Sequence, residues 1–492
     1  MTRLLLPLLP LLLLSANAQD AGAPAAELQQ KGLQLTGEGR FREAVAAFRK
    51  ALASNPNDPE LLNDFGVALR RAGDFAGSAE VLQKAVRFRG DDGRIYNNLG
   101  LALRGGGRIN EARAALSRAA ALLPRDAPIR RNLGIVLGEA GDARRAEREL
   151  REALRLRPND AETHQALARL LAAARRGADA LPEYQAAVKL APRNAGAHYE
   201  LGLLYETSGD LAGARAEYQA AVELAPDASR FHWARGALFL RGEELQSAEK
   251  ELREAVRLDP RSGEAHRDLG SVLRKLGRFE EAGAELRRAS ELLPGDSSVH
   301  YQLSQVLQKT DKGDEAAAER QRAALGTERQ RNIELSKSYN NSGTELLEKG
   351  DPQRAAVELA EALRLNPDDP LARYNYGLAL LLQGKAREAI AEFQKVLRAR
   401  PDDPDTHYYL GRALLAIEEP KQAVPALLYA VRLNVQDSNA QNALAAALAG
   451  TGDLPAAKEH VERAIAIEPQ NTKYADNLRC LERRLQGCTV VP

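Results

Sequence analysis

The chain has 492 residues, 69 Lys and Arg against 68 Asp and Glu, and only 5% aromatic residues. So even a balance creates no electrostatic demand for nucleic acid or a membrane surface. Abundant Ala, Leu, Arg and Glu beside few β-branched residues exclude a sheet-based fold and suit helices throughout.

Residues 1–18 read as a secretory signal peptide: Arg3 is a short basic n-region, Leu4 to Leu14 an apolar core, and Ala16-Asn17-Ala18 the small residues of a cleavage site. The apolar run is short for a bilayer and is interrupted by Pro7 and Pro10. Losing Arg3 leaves the mature charges balanced. The expectation is an exported protein, periplasmic or secreted. No membrane span is expected, and no lipid anchor either, because no cysteine follows the cleavage site.

From residue 25 onward the sequence repeats itself. Pro56, Pro124, Pro158, Pro192, Pro226, Pro260 and Pro294 are 34 residues apart, or twice that where Gly90 fills the slot. Small residues keep the same step at Gly32, Gly66, Gly100, Gly134, Ala168, Gly202, Gly236 and Gly270, and again at Ala44, Ala112, Ala146, Ala180, Ala214, Ala248 and Ala282. A further set runs from Ala51 through Ala85 and Ala119 to Ala289. In one unit, Leu201, Leu204 and Tyr205 form an apolar stripe at helical spacing. Gly209-Asp210 makes a turn, and Ala214, Tyr218, Ala221 and Val222 form a second stripe. Pro226 then ends the second helix. Gly202 and Ala221 are small where two helix axes approach. Such a hairpin buries its face only by stacking on its neighbours.

Leu201, Gly202, Tyr205, Ala214, Tyr218, Ala221 and Pro226 match the small, aromatic and terminal-proline positions of the tetratricopeptide repeat, which this chain resembles over about nine-tenths of its length. The resemblance implies an all-α, right-handed superhelical solenoid of helix–turn–helix repeats. Units are expected over 25–323 (repeats 1–9) and 336–471 (repeats 10–13). Between them, 324–335 forms an irregular helical joint that lacks the expected proline, and just before it Arg320 stands where a large apolar residue belongs. It reads equally as a hinge, with Gly326 its weakest point, or as a rigid strut. Residues 472–492 form a capping helix and tail. Cys480 and Cys488 within it are a disulfide candidate, the alternative being two free thiols.

No motif of phosphate binding, zinc ligation or nucleophilic catalysis is present. Gly105-Gly106-Gly107 lies between two predicted helices with no preceding strand, and reads as an inter-helix turn. His164, His198, His232, His266 and His300 recur every 34 residues at the fourth place of their units, as does His407. First helices of adjacent units are expected roughly 10 Å or more apart, too far for a shared metal whose nitrogen ligands each sit about 2 Å away. The ladder therefore reads as a packing position. No catalytic residue, cofactor or metal is expected.

Function must then come from surface. In the family, the concave groove is lined by first helices. The equivalent residues here include Arg94, Asn97, Asn98, Arg104, Arg131 and Asn132, in a stretch (93–160) with 14 basic and 8 acidic residues. Peptide-binding members carry asparagines at the place of Asn98, Asn132, Asn341 and Asn375, although the fuller lysine–asparagine–arginine clamp is missing. Tyr199, Trp233, Tyr301, Tyr374 and Tyr408 share another groove place, where rings either bind a partner or pack on the following helix. The resemblance implies a non-catalytic protein-interaction scaffold with a protein or peptide ligand, and the signal peptide places it in the cell envelope. The alternative is an accessory subunit of envelope glycan synthesis or export.

Overall fold

The computed structural model describes residues 25–435, 437–483 and 490. Among these the secondary structure is 26 α-helices and no strand. The expected signal peptide lies outside the described residues. By its internal contacts the chain forms two compact units, Met1–Arg157 and Pro158–Pro492. Each is a stack of helix hairpins. In the first unit Gly93–Gly105 pairs with Ile109–Leu122, and in the second Ala195–Thr207 pairs with Leu211–Leu224. These lengths of 13 and 14 residues, plus two short connections, account for the 34-residue step.

Helix starts are fixed locally. The side chains of Asp92, Asp126, Asp210 and Asp369 accept hydrogen bonds from backbone amides in the first turn of the helix that follows, satisfying donors that have no partner within the helix. Within each hairpin the turn needs one residue in the left-handed region. Gly107 (φ +76°) and Gly209 (φ +87°) supply it without strain, whereas Arg175, Glu243, Asp311 and Glu418 hold φ of 57–61° at the same place in their hairpins. The triple glycine is therefore a helix end followed by this turn.

The hairpin closes on one contact between a small and a large residue. A Cβ at Gly100 would lie 2.5 Å from Leu116 Cγ, one at Gly134 2.7 Å from Leu150 Cγ, and one at Gly202 2.6 Å from Tyr218 Cε1. The alanines of the other two repeating sets are buried beside it, Ala112, Ala119, Ala214 and Ala221 among them.

Residues 313–348 form one continuous 36-residue helix, Gly313–Glu348. Its start buries Ala316, Glu319 and Ala323, with Glu319 bound to His300 of the preceding helix (2.6 Å). Its end buries Ser336, Asn340 and Gly343; Ser336 donates to the Ala362 carbonyl (2.8 Å), and Gly343 faces Leu359. One helix thus serves two hairpins. Glu328 stands where the proline rhythm would place Pro, so nothing interrupts the backbone ladder there. Arg320 is exposed, and Leu325 and Leu335 between the two buried stretches are exposed as well. At Gly326 an added Cβ would come within 3.1 Å of Ser297 Cβ, so this glycine lies against the start of the neighbouring helix. The division into compact units falls after Arg157, whereas 324–335 is helix interior.

The last helix, Thr472–Arg483, buries Tyr474, Asn477 and Cys480. Cys480 is disulfide-bonded; Cys488 lies outside the described residues.

The turn geometry makes a prediction. Glu243→Gly should raise stability by about 0.5–1 kcal/mol, because relief of the left-handed strain outweighs glycine's entropic cost. Gly209→Ala should lower it by about 1 kcal/mol. Thermal unfolding followed by circular dichroism measures both.

Candidate partner-binding site

Consecutive first helices are joined by a polar ladder that steps 35 residues, one more than the repeat. In the first unit Asn98 Nδ2 donates to Asn63 Oδ1 (2.8 Å) and Asn132 Nδ2 to Asn97 Oδ1 (2.9 Å). In the second, Gln165 Nε2 donates to Glu200 (3.0 Å), Trp233 Nε1 to Asp268 (2.9 Å), and Asn375 Nδ2 to Asn340 Oδ1 (2.9 Å) and Thr344 Oγ1 (3.1 Å). Asn477 repeats the contact with Asn442 (2.8 Å). Asn97, Asn98, Asn132, Trp233 and Asn375, expected to face a ligand, therefore spend part of their hydrogen-bonding capacity on the neighbouring repeat. Asn341 is exposed, and its neighbour Asn340 is the buried ladder member. A polar pair offset by a period plus one was the signal for this, and a search at the period alone misses it.

Most of the rings also pack between repeats. Tyr199 lies 6.0 Å from Tyr218 and 5.3 Å from Phe231, with the Arg230 guanidinium 5.6 Å from its ring centroid. Burial raises its phenol pKa, partly opposed by Arg230. Tyr374 sits between Phe393 (6.2 Å) and Tyr409 (5.9 Å), and its pKa is driven up strongly by burial. Tyr408 meets Tyr409 at 4.9 Å and Arg412 at 5.7 Å. Tyr301 differs, with 55% of its surface exposed.

The basic excess of 93–160 is largely paired. Arg94 turns back on its own helix cap, Asp92 (3.0 Å), Arg104 forks onto Glu139 (2.6–3.0 Å), and Arg130 reaches Glu149 (2.7 Å). Arg131 is half-buried and also engaged.

What stacking leaves uncovered is another set of first-helix places, the ninth, twelfth and thirteenth of the repeat. In the first unit they supply Leu101, Arg70, Arg104 and Gly105, which with Phe75 and Glu139 line a concavity of about 500 Å³. Arg70 Nε is buried there without a hydrogen-bond partner, and burial, with Arg71 adding to it, lowers the Arg70 pKa. In the second unit the same places supply Leu378, Leu381, Leu382, Arg412 and Leu415 around a concavity of about 600 Å³. Of all these, only Arg104 was legible as a site residue. The adjacent leucines Leu381 and Leu382 at a helix end, the second of them 54% exposed, were the missed cue.

Models of the tetratricopeptide repeat match residues 31–94, 63–127, 165–229, 233–297 and 340–404, and related ones match 103–170, 380–448 and 439–463. The chain belongs to the tetratricopeptide repeat family. Similar solved structures include the Cut9–Hcn1 hetero-tetramer of the APC/C, at 17% identity and a TM-score of 0.37, covering 94% of this chain and 97% of that one. A thermophilic tetratricopeptide protein of Thermus thermophilus shares 27% identity at a TM-score of 0.33, over 37% of this chain and 98% of that one. MamA of Desulfovibrio magneticus shares 31% at 0.29, over 30% and 85%. No curated protein matches the sequence.

Within the tetratricopeptide hairpin the histidines have a defined place. In each of His164, His198, His232, His266 and His300, Nδ1 meets a glutamate on the second helix of the same repeat (2.6–2.8 Å). Nε2 of each meets the carbonyl of the proline six residues earlier (2.9–3.2 Å). Each ring pins its hairpin to the incoming loop. With both nitrogens engaged, no lone pair is offered to a metal. Arg130 and Arg373 make the same two contacts, to Glu149 and Pro124 and to Glu392 and Pro367. Gln441 does so with His460 and Val435. Among the described residues no group of three His, Cys, Asp or Glu side chains is placed to hold a metal ion.

The ladder predicts a contrast between two asparagines. Asn375→Ala leaves the buried Asn340 carbonyl without its donor and should cost about 1–3 kcal/mol. Asn341→Ala, at an exposed position, should stay within about 0.5 kcal/mol of wild type. Urea unfolding distinguishes them.

Proposed function

We infer that this chain works, as tetratricopeptide repeats do, as a protein–protein interaction scaffold. Among its described residues no helix is long and apolar enough to cross a membrane. We propose that the protein is an exported, non-catalytic scaffold that holds extended segments of partner proteins along its first helices. One observation carries this reading: the same three repeat places, left over once the polar ladder and the hairpin contacts are satisfied, line a concavity in each unit. In the first unit the mixture of Leu101 with Arg70 and the Arg104–Glu139 pair suits a peptide that brings an apolar side chain and a carboxylate or carbonyl oxygen. Arg70, with a donor left unsatisfied, is the group with most to gain from such an oxygen. Arg94 and Arg131 are further contacts in the first unit, Tyr301 and Asn341 are contacts in the second, and the ladder asparagines position the first helices of each.

The full chain should retain a defined set of proteins from an envelope extract. Leu101→Asp with Arg70→Ala should reduce their recovery at least tenfold, the size expected when a central contact is lost. Unchanged recovery by that variant, or recovery of glycan-synthesis enzymes alone, would sink the reading. Export is checked separately. Residues 1–24 fused to a phosphatase that is active only outside the cytoplasm should give activity, and Leu11→Arg with Leu12→Arg should abolish it.

A further inference from the structure

Val490 lies beyond the last helix in sequence, yet it is buried, with 8% of its surface exposed. It clusters with Ala446 and Cys480, and Leu415, Ala449 and Leu481 pack around them. The same valine is part of the wall of the 600 Å³ concavity on the first-helix face. A segment of the chain has thus placed an aliphatic side chain on the surface that the helix hairpins leave free. The remaining wall is chemically suited to more of the same. Leu378, Leu381 and Leu382 supply apolar area, and Arg412, drawn over the Tyr408 and Tyr409 rings at 5.7 and 5.9 Å, supplies a cation at the edge. The volume left open beside Val490 lies within the range of ligand sites. Cys480, in the same cluster, is disulfide-bonded, which fixes the base on which Val490 rests.

We infer that the surface covered by Val490 and the open concavity beside it form one peptide pocket for aliphatic side chains, and that Val490 is its resident occupant, which a partner segment must displace. The inference rests on the peptide-binding reading above and adds to it a specificity and a built-in competitor. An occupant on the same chain is present at a high effective concentration. The apparent affinity for an outside peptide is therefore reduced by the fraction of molecules whose pocket is empty.

The test uses an acetylated heptapeptide with the sequence of residues 486–492, serine replacing its cysteine, titrated calorimetrically into the full chain. Val490→Asp should bind the peptide at least tenfold more tightly than wild type. Adding Leu382→Asp to Val490→Asp should remove that gain. Equal affinity of wild type and Val490→Asp, or no binding by either, overturns the inference. So does a gain that survives Leu382→Asp. Unchanged helical circular dichroism shows that each variant is folded. Because Leu101 and Arg70 lie in the other unit, the extract experiment with their variants tests the scaffold reading independently of this pocket.

Discussion

Everything in this molecule depends on how closely the two helices of a hairpin approach. In most hairpins a glycine on the first helix faces a leucine, phenylalanine or tyrosine on the second, with no room for even a Cβ between them, as at Gly32 and Phe48, Gly66 and Leu82, or Gly202 and Tyr218. The close approach brings the fourth residue of the first helix within reach of the second helix. There His–Glu, Arg–Glu and Gln–His pairs all close the same gap and hold the same loop carbonyl. That such different side chains serve one position identifies the position, rather than histidine chemistry, as the invariant.

Stacking then divides the first-helix surface into places that are spent and places that are left. The fifth and sixth residues meet across neighbouring repeats and form the 35-residue ladder. Its members are mixed, with asparagine pairs in some repeats and Trp233 on Asp268 in another, because any donor of the right reach satisfies the geometry. The ninth, twelfth and thirteenth residues take no part in that ladder; some pair across repeats, as Arg104 does with Glu139, yet they stay accessible on the groove side. They are polar and basic around Arg70 and Arg104 and aliphatic around Leu381 and Leu382, which gives the two units different surfaces on one architecture.

The long helix Gly313–Glu348 shows how a small change in sequence rewrites a connection. Without the proline, and with extra residues between the two buried stretches, the second helix of one hairpin runs directly into the first helix of the next. The sequence signalled both the missing proline and the misplaced Arg320. The structure adds that Arg320 is simply turned outward, while Ala316 and Glu319 keep the hairpin contact.

The hairpins, their period, their turns and the place of the small residues were all legible in the amino-acid sequence, because each follows from steric rules acting within about thirty residues. The role of individual polar and aromatic residues was not. Asn98, Asn132 and Asn375 looked like ligand contacts because they share a face with the groove. Whether an amide on that face meets a partner or the next repeat depends on the axial offset between neighbouring first helices. That offset is set by how whole hairpins stack, and only the tertiary structure decided it. The same holds for Val490, since no local pattern relates a valine after the last helix to leucines a hundred residues earlier. Burial of apolar surface brought them together.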